Sequence, residues 1–292
     1  MHKYLRAVGF GHLKGKSELD HILGCLEWDY SSHELVGVET DWDLCEFRRD
    51  FGPGIGVALN GYMDMEELFT REYYYPYFYG TGITSYSEIT VERRIEKEDY
   101  VGICEDPKVD ISLIFKLQNS IEYIRERQKG KKTIKYTSVT LSGLCNEGTI
   151  LLPIMKSEKQ KKKQGEDTKN RMTLLHEARG GDVQAMESLT LDDIDIYAKV
   201  SRRLITEDIL SIVDTYIMPY GVECDVYSIM GEIRDLRLVE NEKSHEKIYI
   251  MSLDVNNLNF DICVPEKSVT GKPEVGRRFK GNIWLQGHIH FR

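Results

Sequence analysis

His288 and His290 stand two residues apart in a stretch that alternates apolar and polar side chains. Their imidazoles therefore project from one face of a strand, the geometry of His-x-His metal pairs. No third ligand is placed beside them, because His12, His21 and His33 fall in segments with no readable relation to this strand. No metal site and no cofactor is signalled. The same parity carries Arg278, Lys280, Trp284 and Gln286, aromatic and cationic types that stack bases and pair phosphates on small barrels. Two readings follow: the face binds such a ligand, or the rest of the chain covers it, with Arg278 and Lys280 paired to carboxylates.

A second concentration of reactive side chains is the run Tyr73, Tyr74, Tyr75, Pro76, Tyr77, Phe78, Tyr79. Proline confines such a run to a sheet edge or a bulge. Tyr73, Tyr75 and Tyr77 share one parity, so they form either the packed side of an edge strand or an aromatic contact surface for a partner or flat ligand. Gly11-His12-Leu13-Lys14-Gly15-Lys16-Ser17 imitates a phosphate-binding loop but is one residue short of G-x-x-x-x-G-K-[ST]. The backbone cradle does not survive that loss, and the segment reads as a surface loop. Gly52, Gly54 and Gly56 have no helix after them and read as a turn. No G-x-S-x-G, H-E-x-x-H or D-x-D-x-D-G motif occurs, and Asp192-Asp193 reads as a helix cap.

The elements that must position these groups follow from periodicity. A helix is expected over 17–28, with Ser17 as its cap and Leu19, Ile22, Leu23 and Leu26 on one face. Strands are expected at 35–40, 42–48, 55–60, 73–78, 88–95, 100–105 and 136–144, with turns that include Asn60-Gly61 and Asn146-Glu147-Gly148. A second helix is expected over 111–128 from the spacing of Ile114, Leu117, Ile121 and Ile124. Residues 156–169 contain six lysines and no hydrophobic residue, which predicts a solvated loop. Short helices are expected through about residue 200, the last capped at Asp192-Asp193. From 222 onward the pattern is strands at 226–238, 248–255, 258–264 and 278–291, the second and third joined by Asn256-Asn257 in a primed turn. So short a set of twisted strands is expected to close as a small barrel of the OB type.

The expectation is thus an α+β protein: an N-terminal antiparallel sheet with two helices over 1–155, the charged loop 156–169, a helical connector over 170–221 and a small OB-like antiparallel barrel over 222–292. The 292 residues are 41% hydrophobic and 30% charged, with no apolar run long enough for a membrane span or a signal peptide. That predicts a cytoplasmic chain with no membrane partner. Six scattered cysteines without a CxxC read as free thiols. The net charge of −9 is shared by the segments on both sides of the lysine-rich loop, which argues against sequence-independent nucleic-acid binding.

Met1-His2-Lys3-Tyr4-Leu5-Arg6-Ala7-Val8-Gly9-Phe10, the corner Met218-Pro219-Tyr220-Gly221-Val222-Glu223 and the run Gly276-Arg277-Arg278-Phe279-Lys280-Gly281-Asn282-Ile283-Trp284-Leu285-Gln286-Gly287 together resemble an uncharacterised family of about this length from clostridial-type bacteria. The resemblance spans nearly the whole chain. What it implies is a domain of unknown function, with no activity and no site residue attached. The expectation for function is a non-catalytic binding or scaffold protein with a protein partner; the alternative is a nucleotide- or RNA-handling enzyme that recognises its ligand through the barrel. Catalytic residues and oligomeric state stay open.

Replacing 156–169 by a Gly/Ser linker is expected to leave the melting temperature within about two degrees, since a hydrophobe-free loop buries nothing that offsets its ordering entropy. A loss of about 2 kcal/mol or more by denaturant titration would mean the loop docks.

Overall fold

The computed structural model describes every residue except 39–40, 95–98, 110, 130–135, 155–165, 168, 172, 176, 179 and 292. Most of the charged loop 156–169 lies outside the described residues. The protein is a mixed α and β structure dominated by two sheets. The first is an antiparallel meander of β1 (Ser32–Gly37), β2 (Trp42–Gly52), β3 (Ile55–Asp64) and β4 (Phe69–Phe78), in that spatial order. Helix α1 (Lys16–Leu26) turns Leu19, Ile22, Leu23 and Leu26 into the core, as their spacing requires. Its N-cap is Gly15 rather than Ser17, and no side chain caps it.

The second sheet takes β5 (Ile89–Arg93), β6 (Tyr100–Cys104) and β7 (Leu113–Leu117) onto the edge of β14 (Arg278–Phe291). It also contains β8 (Tyr136–Leu151), β9 (Tyr216–Pro219), β10 (Val226–Glu240), β11 (Lys247–Val255), β12 (Leu258–Pro265) and the two-residue β13 (Val269–Thr270). Strands β10, β11 and β12 form an antiparallel meander, with Asn256 and Asn257 at φ 52° and 65° in the tight turn that the Asn-Asn pair predicts. β12 runs parallel to β8, β8 runs antiparallel to β14, and β14 returns antiparallel to β10. The pairings of these five strands therefore form a circuit.

Several sequence expectations change. β5 to β8 do not continue the N-terminal meander; they join the C-terminal strands, so one sheet contains residues from both sides of the 156–169 loop. The first part of the helix expected over 111–128 is strand β7. Leu113, Ile114 and Phe115 are β-formers that pair with β6, and only Ser120–Gln128 is helical, as α2. The spacing of Ile114 and Leu117 with Ile121 matches a helix by coincidence. Asn60-Gly61 sits at a register shift inside β3, and 146–148 lies inside β8. The helices expected to break before Asp192 are one 21-residue helix, α3 (Val183–Arg203), whose cap is Asp182, accepting from the backbone N–H of Gln184 and Ala185. A short α4 (Ile209–Ile212) follows, and residues Lys3–Val8 form a 3-10 helix.

The apolar parity of β14 lines the interior: Phe279, Ile283, Leu285 and Ile289 are fully buried with Ile229, Leu253, Phe260 and Ile262. Gly102 and Gly287 lie under the ring of Phe115, where any Cβ would clash with its carbons. That close approach is what lets β7 pack flat against β14.

Candidate functional site

The polar parity of β14 does not face water. Trp284 and Gln286 are buried, and His288 and His290 are half-buried. What covers this face is β4, together with β7 and the start of α2. The chain thus brings Trp284 against Tyr75, with ring centres 6.5 Å apart, Gln286 under Pro76 and Phe78, and His288 beside Tyr79, so the last strand and the tyrosine-rich run meet in one contact between the sheets, Tyr73 and Tyr77 lying in the run and His290 beside His288.

Gln286 sits at its centre. Its Nε2 donates to the Pro76 carbonyl at 2.9 Å, and its Oε1 accepts from the Phe78 N–H at 3.3 Å and from Gln118 Nε2 at 2.9 Å. Gln118 Nε2 also donates to the Phe78 carbonyl at 2.8 Å, and so does Ser142 Oγ. β4 is the last strand of its sheet, so these backbone groups point away from any partner strand. Side chains from the second sheet satisfy them instead. Asn119 extends the pattern: its Oδ1 accepts from Ile289 N–H at 3.1 Å and its Nδ2 donates to the Ile289 carbonyl at 2.7 Å.

Around this centre lie two charge groups, the first buried and the second reaching from buried Lys116 to half-exposed Arg94. Glu46 and Arg48, two apart on β2 and opposite β3, form an ion pair whose Nε to Oε1 distance is 2.6 Å. The same guanidinium donates to the Tyr79 hydroxyl and to the Gln118 carbonyl, while the Tyr75 hydroxyl donates to Glu46 Oε2 at 2.9 Å. Tyr77 donates to Asp50 at 2.6 Å. On the other side Lys116, which is 3% exposed, pairs with Asp99, and its Nζ lies 4.8 Å from the Tyr75 ring centre and 5.5 Å from that of Tyr73. Asp99 also meets Arg94, which holds Asp225 at 2.7 Å, and Asp225 accepts from Trp284 Nε1 at 3.0 Å. Burial first, then nearby carboxylates, raise the Tyr75 and Tyr77 hydroxyls well above their ordinary range, so both stay protonated donors. Burial pushes Tyr79 up to about 12.

Trp284 is closed off by the N-terminal segment. The Tyr4 ring stacks on it at 5.5 Å and the His2 ring lies at 4.7 Å. Arg278 and Lys280 do not join this contact. Arg278, 5% exposed, donates to the carbonyls of Leu152, Leu210 and Val213 at 2.9–3.0 Å and so holds the end of β8 and the turn after α4; Lys280 is half-buried. The expected carboxylate partners are thus replaced, for Arg278, by peptide oxygens.

His288 is the member with spare capacity. Its ring lies 5.1 Å from His290 and 6.4 Å from Tyr79, and its Nδ1 has no hydrogen-bond partner. His290 Nε2 is 2.8 Å from Thr140 Oγ1. Burial, and after it the charges of His290 and Arg48, lower the His288 pKa to about 4, so the ring is neutral near pH 7. Among the described residues no group of three or more His, Cys, Asp or Glu could hold a metal ion.

Sequence reasoning missed Glu46, Arg48, Lys116, Gln118, Asp99 and Asp225. One signal was readable: Leu44, Glu46 and Arg48 share a parity in β2, and an acid and a base side by side on the face of a buried Leu suit a buried pair. Nothing local marks Lys116 or Gln118, whose burial comes from β4 crossing them.

A family described as "Domain of unknown function, E. rectale Gene description (DUF3881)" has a model that matches residues 5–287. No curated protein and no solved structure matches the chain.

Gln286→Leu should cost about 2–4 kcal/mol in urea unfolding, because it strands the Pro76 carbonyl and the Phe78 N–H away from water. A change below about 1 kcal/mol would mean water reaches that edge. The pH dependence is set by His288. Its folded pKa lies below the unfolded value of 6.5, so the unfolded chain binds more protons between those values. Stability is therefore full above pH 6.5 and falls as the pH drops toward about 4. His2, lowered to about 4 by burial and Lys3, adds to the same slope. Melting temperatures measured from pH 7 to 4.5 should decline, and less steeply in His288→Gln; equal slopes would place the loss elsewhere.

Proposed function

We propose, for a chain that belongs to this family of unknown function, the role of a non-catalytic binding or scaffold protein of the cytoplasm that meets a protein partner through helix α3. One observation carries the reading: of the 21 residues of α3, only Ala185 is buried, yet Val183, Met186, Leu191, Ile194, Ile196 and Tyr197 stand in solvent. Tyr197 is 76% exposed and Ile194 59%. A surface helix needs one apolar stripe, turned inward; here Val183, Met186, Ile194 and Tyr197 fall within about 80° of one another and face outward, which marks a contact.

The centre of the protein supports the same conclusion. The circuit of β10, β11, β12, β8 and β14, with β8 parallel to β12, has the pairing order of an OB-type barrel whose last strand has moved to the front of the chain. On that reading β11 and β12 carry the usual ligand face. Ile248, Ile250 and Cys263 on this face are buried with Tyr4, Leu5 and Val8 of the N-terminal 3-10 helix. The chain fills its own recognition surface, which favours a scaffold over nucleotide or RNA recognition by the barrel. An enzyme has one observation in its favour, the neutral His288 with an unbonded Nδ1.

The test compares the parent with a variant carrying Ile194→Asp and Tyr197→Asp, both at exposed positions and expected to leave the melting temperature unchanged. Immobilised parent should retain one protein, itself or another identified by mass spectrometry, in fixed stoichiometry, and the variant should lose it. A nucleotide or metal co-purifying in stoichiometric amount, or retention unaltered in the variant, would overturn the reading.

A further inference from the structure

The ladder between β8 and β14 contains a defect. It pairs Gly148 with Gly281 and Cys145 with Ile283, so Asn146 and Glu147 on one strand and Asn282 on the other drop out of it. A bulge of this kind bends the strands and re-aims side chains. Its backbone is accounted for: Cys145 Sγ lies 3.0 Å from the Glu147 carbonyl oxygen and 3.1 Å from that of Asn282. Its side chains are not. Asn146 Nδ2 donates to the Lys3 carbonyl at 3.0 Å, but Asn146 Oδ1 is buried without a partner, and the Asn282 carboxamide makes no hydrogen bond among the described residues.

Both carboxamides line a cavity of about 350 Å³, together with Tyr4 and the turn 220–223. That is the small end of the range for ligand pockets, roughly 300–1,000 Å³. The Tyr4 hydroxyl also has no partner among the described residues. Burial first, then the neighbouring Cys145 thiol, raises its pKa above the ordinary range, so it stays a protonated donor. A polar group left unpaired in a folded chain calls for an explanation, and three around one cavity point to a ligand.

The walls narrow its chemistry. A phenol and two carboxamides each donate and accept, so the complement is a neutral group that does both, such as hydroxyls on adjacent carbons. An anion is opposed: Lys3 already pairs with Glu223, and Glu147 has no cationic partner among the described residues. A nucleobase finds no slot, since the Tyr4 ring stacks on Trp284 at 19° from parallel and Lys3 Nζ lies 5.2 Å from the Tyr4 ring centre. Tyr220, 52% exposed at the rim, leaves an aromatic face for the C–H side of a saturated ring. We propose that this cavity binds one neutral sugar ring, its hydroxyls held by Asn146, Asn282 and Tyr4 and its apolar side laid against Tyr220. The site shares no residue with α3 and adds a small-molecule ligand to the protein contact proposed there.

Calorimetric titration of the full chain with glucose, galactose, mannose and N-acetylglucosamine, each to about 10 mM, should show saturable binding of at least one. Asn282→Ala and Tyr4→Phe each remove a group that makes no hydrogen bond within the described chain, and Tyr4→Phe keeps the ring on Trp284. Both variants should therefore melt like the parent while the dissociation constant rises about tenfold in each, the scale of one hydrogen bond. Ile194→Asp on α3 should bind the sugar as the parent does, so loss of the protein contact and loss of the sugar are read separately. A disaccharide held more tightly than its monomer would mark the end of a glycan as the ligand, and equal affinity a free sugar; either supports the site. The proposal is overturned by the absence of saturable binding across the panel. It is also overturned if glucose 6-phosphate, adenosine monophosphate or spermidine binds more tightly than every neutral sugar, or if sugar binding is indifferent to both substitutions.

Discussion

The free edge of β4 is the constraint on which the rest of the structure depends. A strand at the end of a sheet presents backbone groups that must find water or a partner. Here the edge is buried, and Pro76 has no N–H to offer a neighbouring strand. The Pro76 carbonyl and both polar groups of Phe78 are met by Gln286, Gln118 and Ser142, three side chains that are at most 1% exposed. A carboxamide can replace a peptide unit because it carries the same donor and acceptor in the same plane. Asn119 does likewise for Ile289 on β14, where β7 has ended. The two sheets are therefore held in register by polar atoms rather than by apolar packing alone, and a shift of either strand by one residue would strand all of them.

That register decides where the charges lie. Once Gln286 is fixed under Pro76, the tyrosines of β4 lie by Arg48 on one side, through Tyr77, and by Lys116 on the other, through Tyr73 and Tyr75. Three cations, Arg48, Arg94 and Lys116, meet three carboxylates, Glu46, Asp99 and Asp225. Balance of this kind is what makes burial tolerable, since removing one partner would leave the other desolvated and unpaired. The hydroxyls of Tyr75 and Tyr79 fill hydrogen-bonding positions that water would otherwise occupy. A face so fully committed to itself has little left for a ligand; His288 Nδ1 and Asn60 Nδ2 are its unbonded polar atoms among those described.

Local pattern made much of this legible. The strands β10, β11, β12 and β14, the Asn-Asn turn and the inward parity of Phe279, Ile283, Leu285 and Ile289 are all local properties, and the alternation along 278–291 identified the polar face that meets β4. Local pattern also failed where pairing overrode it. Leu113, Ile114 and Phe115 join a sheet although the wider spacing suits a helix, because β6 pairs with all three and β14 takes the next two residues, Lys116 and Leu117. Periodicity cannot say which strand β8 pairs with, so its place beside β14 and β12 was invisible. The covering of Trp284 by Tyr4 and His2 joins residues about 280 apart in sequence, and no spacing rule reaches that far.

The two largest oddities of the sequence now have opposite physical meanings. The tyrosine-rich run and the polar parity of the last strand look like surfaces for a partner, and they are each other's partner. Helix α3 looks ordinary, with an Asp182 cap and bases in its last turn, and it is the element that leaves its apolar side uncovered. Composition reports which groups must be satisfied but not by whom. A polar group buried in β4 finds its complement in the same chain, at a cost in sequence freedom at Gln286, Gln118 and Ser142. The stripe on α3 finds no such complement among the described residues, and its free energy of burial remains available for association. The side chains richest in chemistry are accordingly committed to the sheet interface, and the apolar side chains that α3 leaves exposed carry almost none.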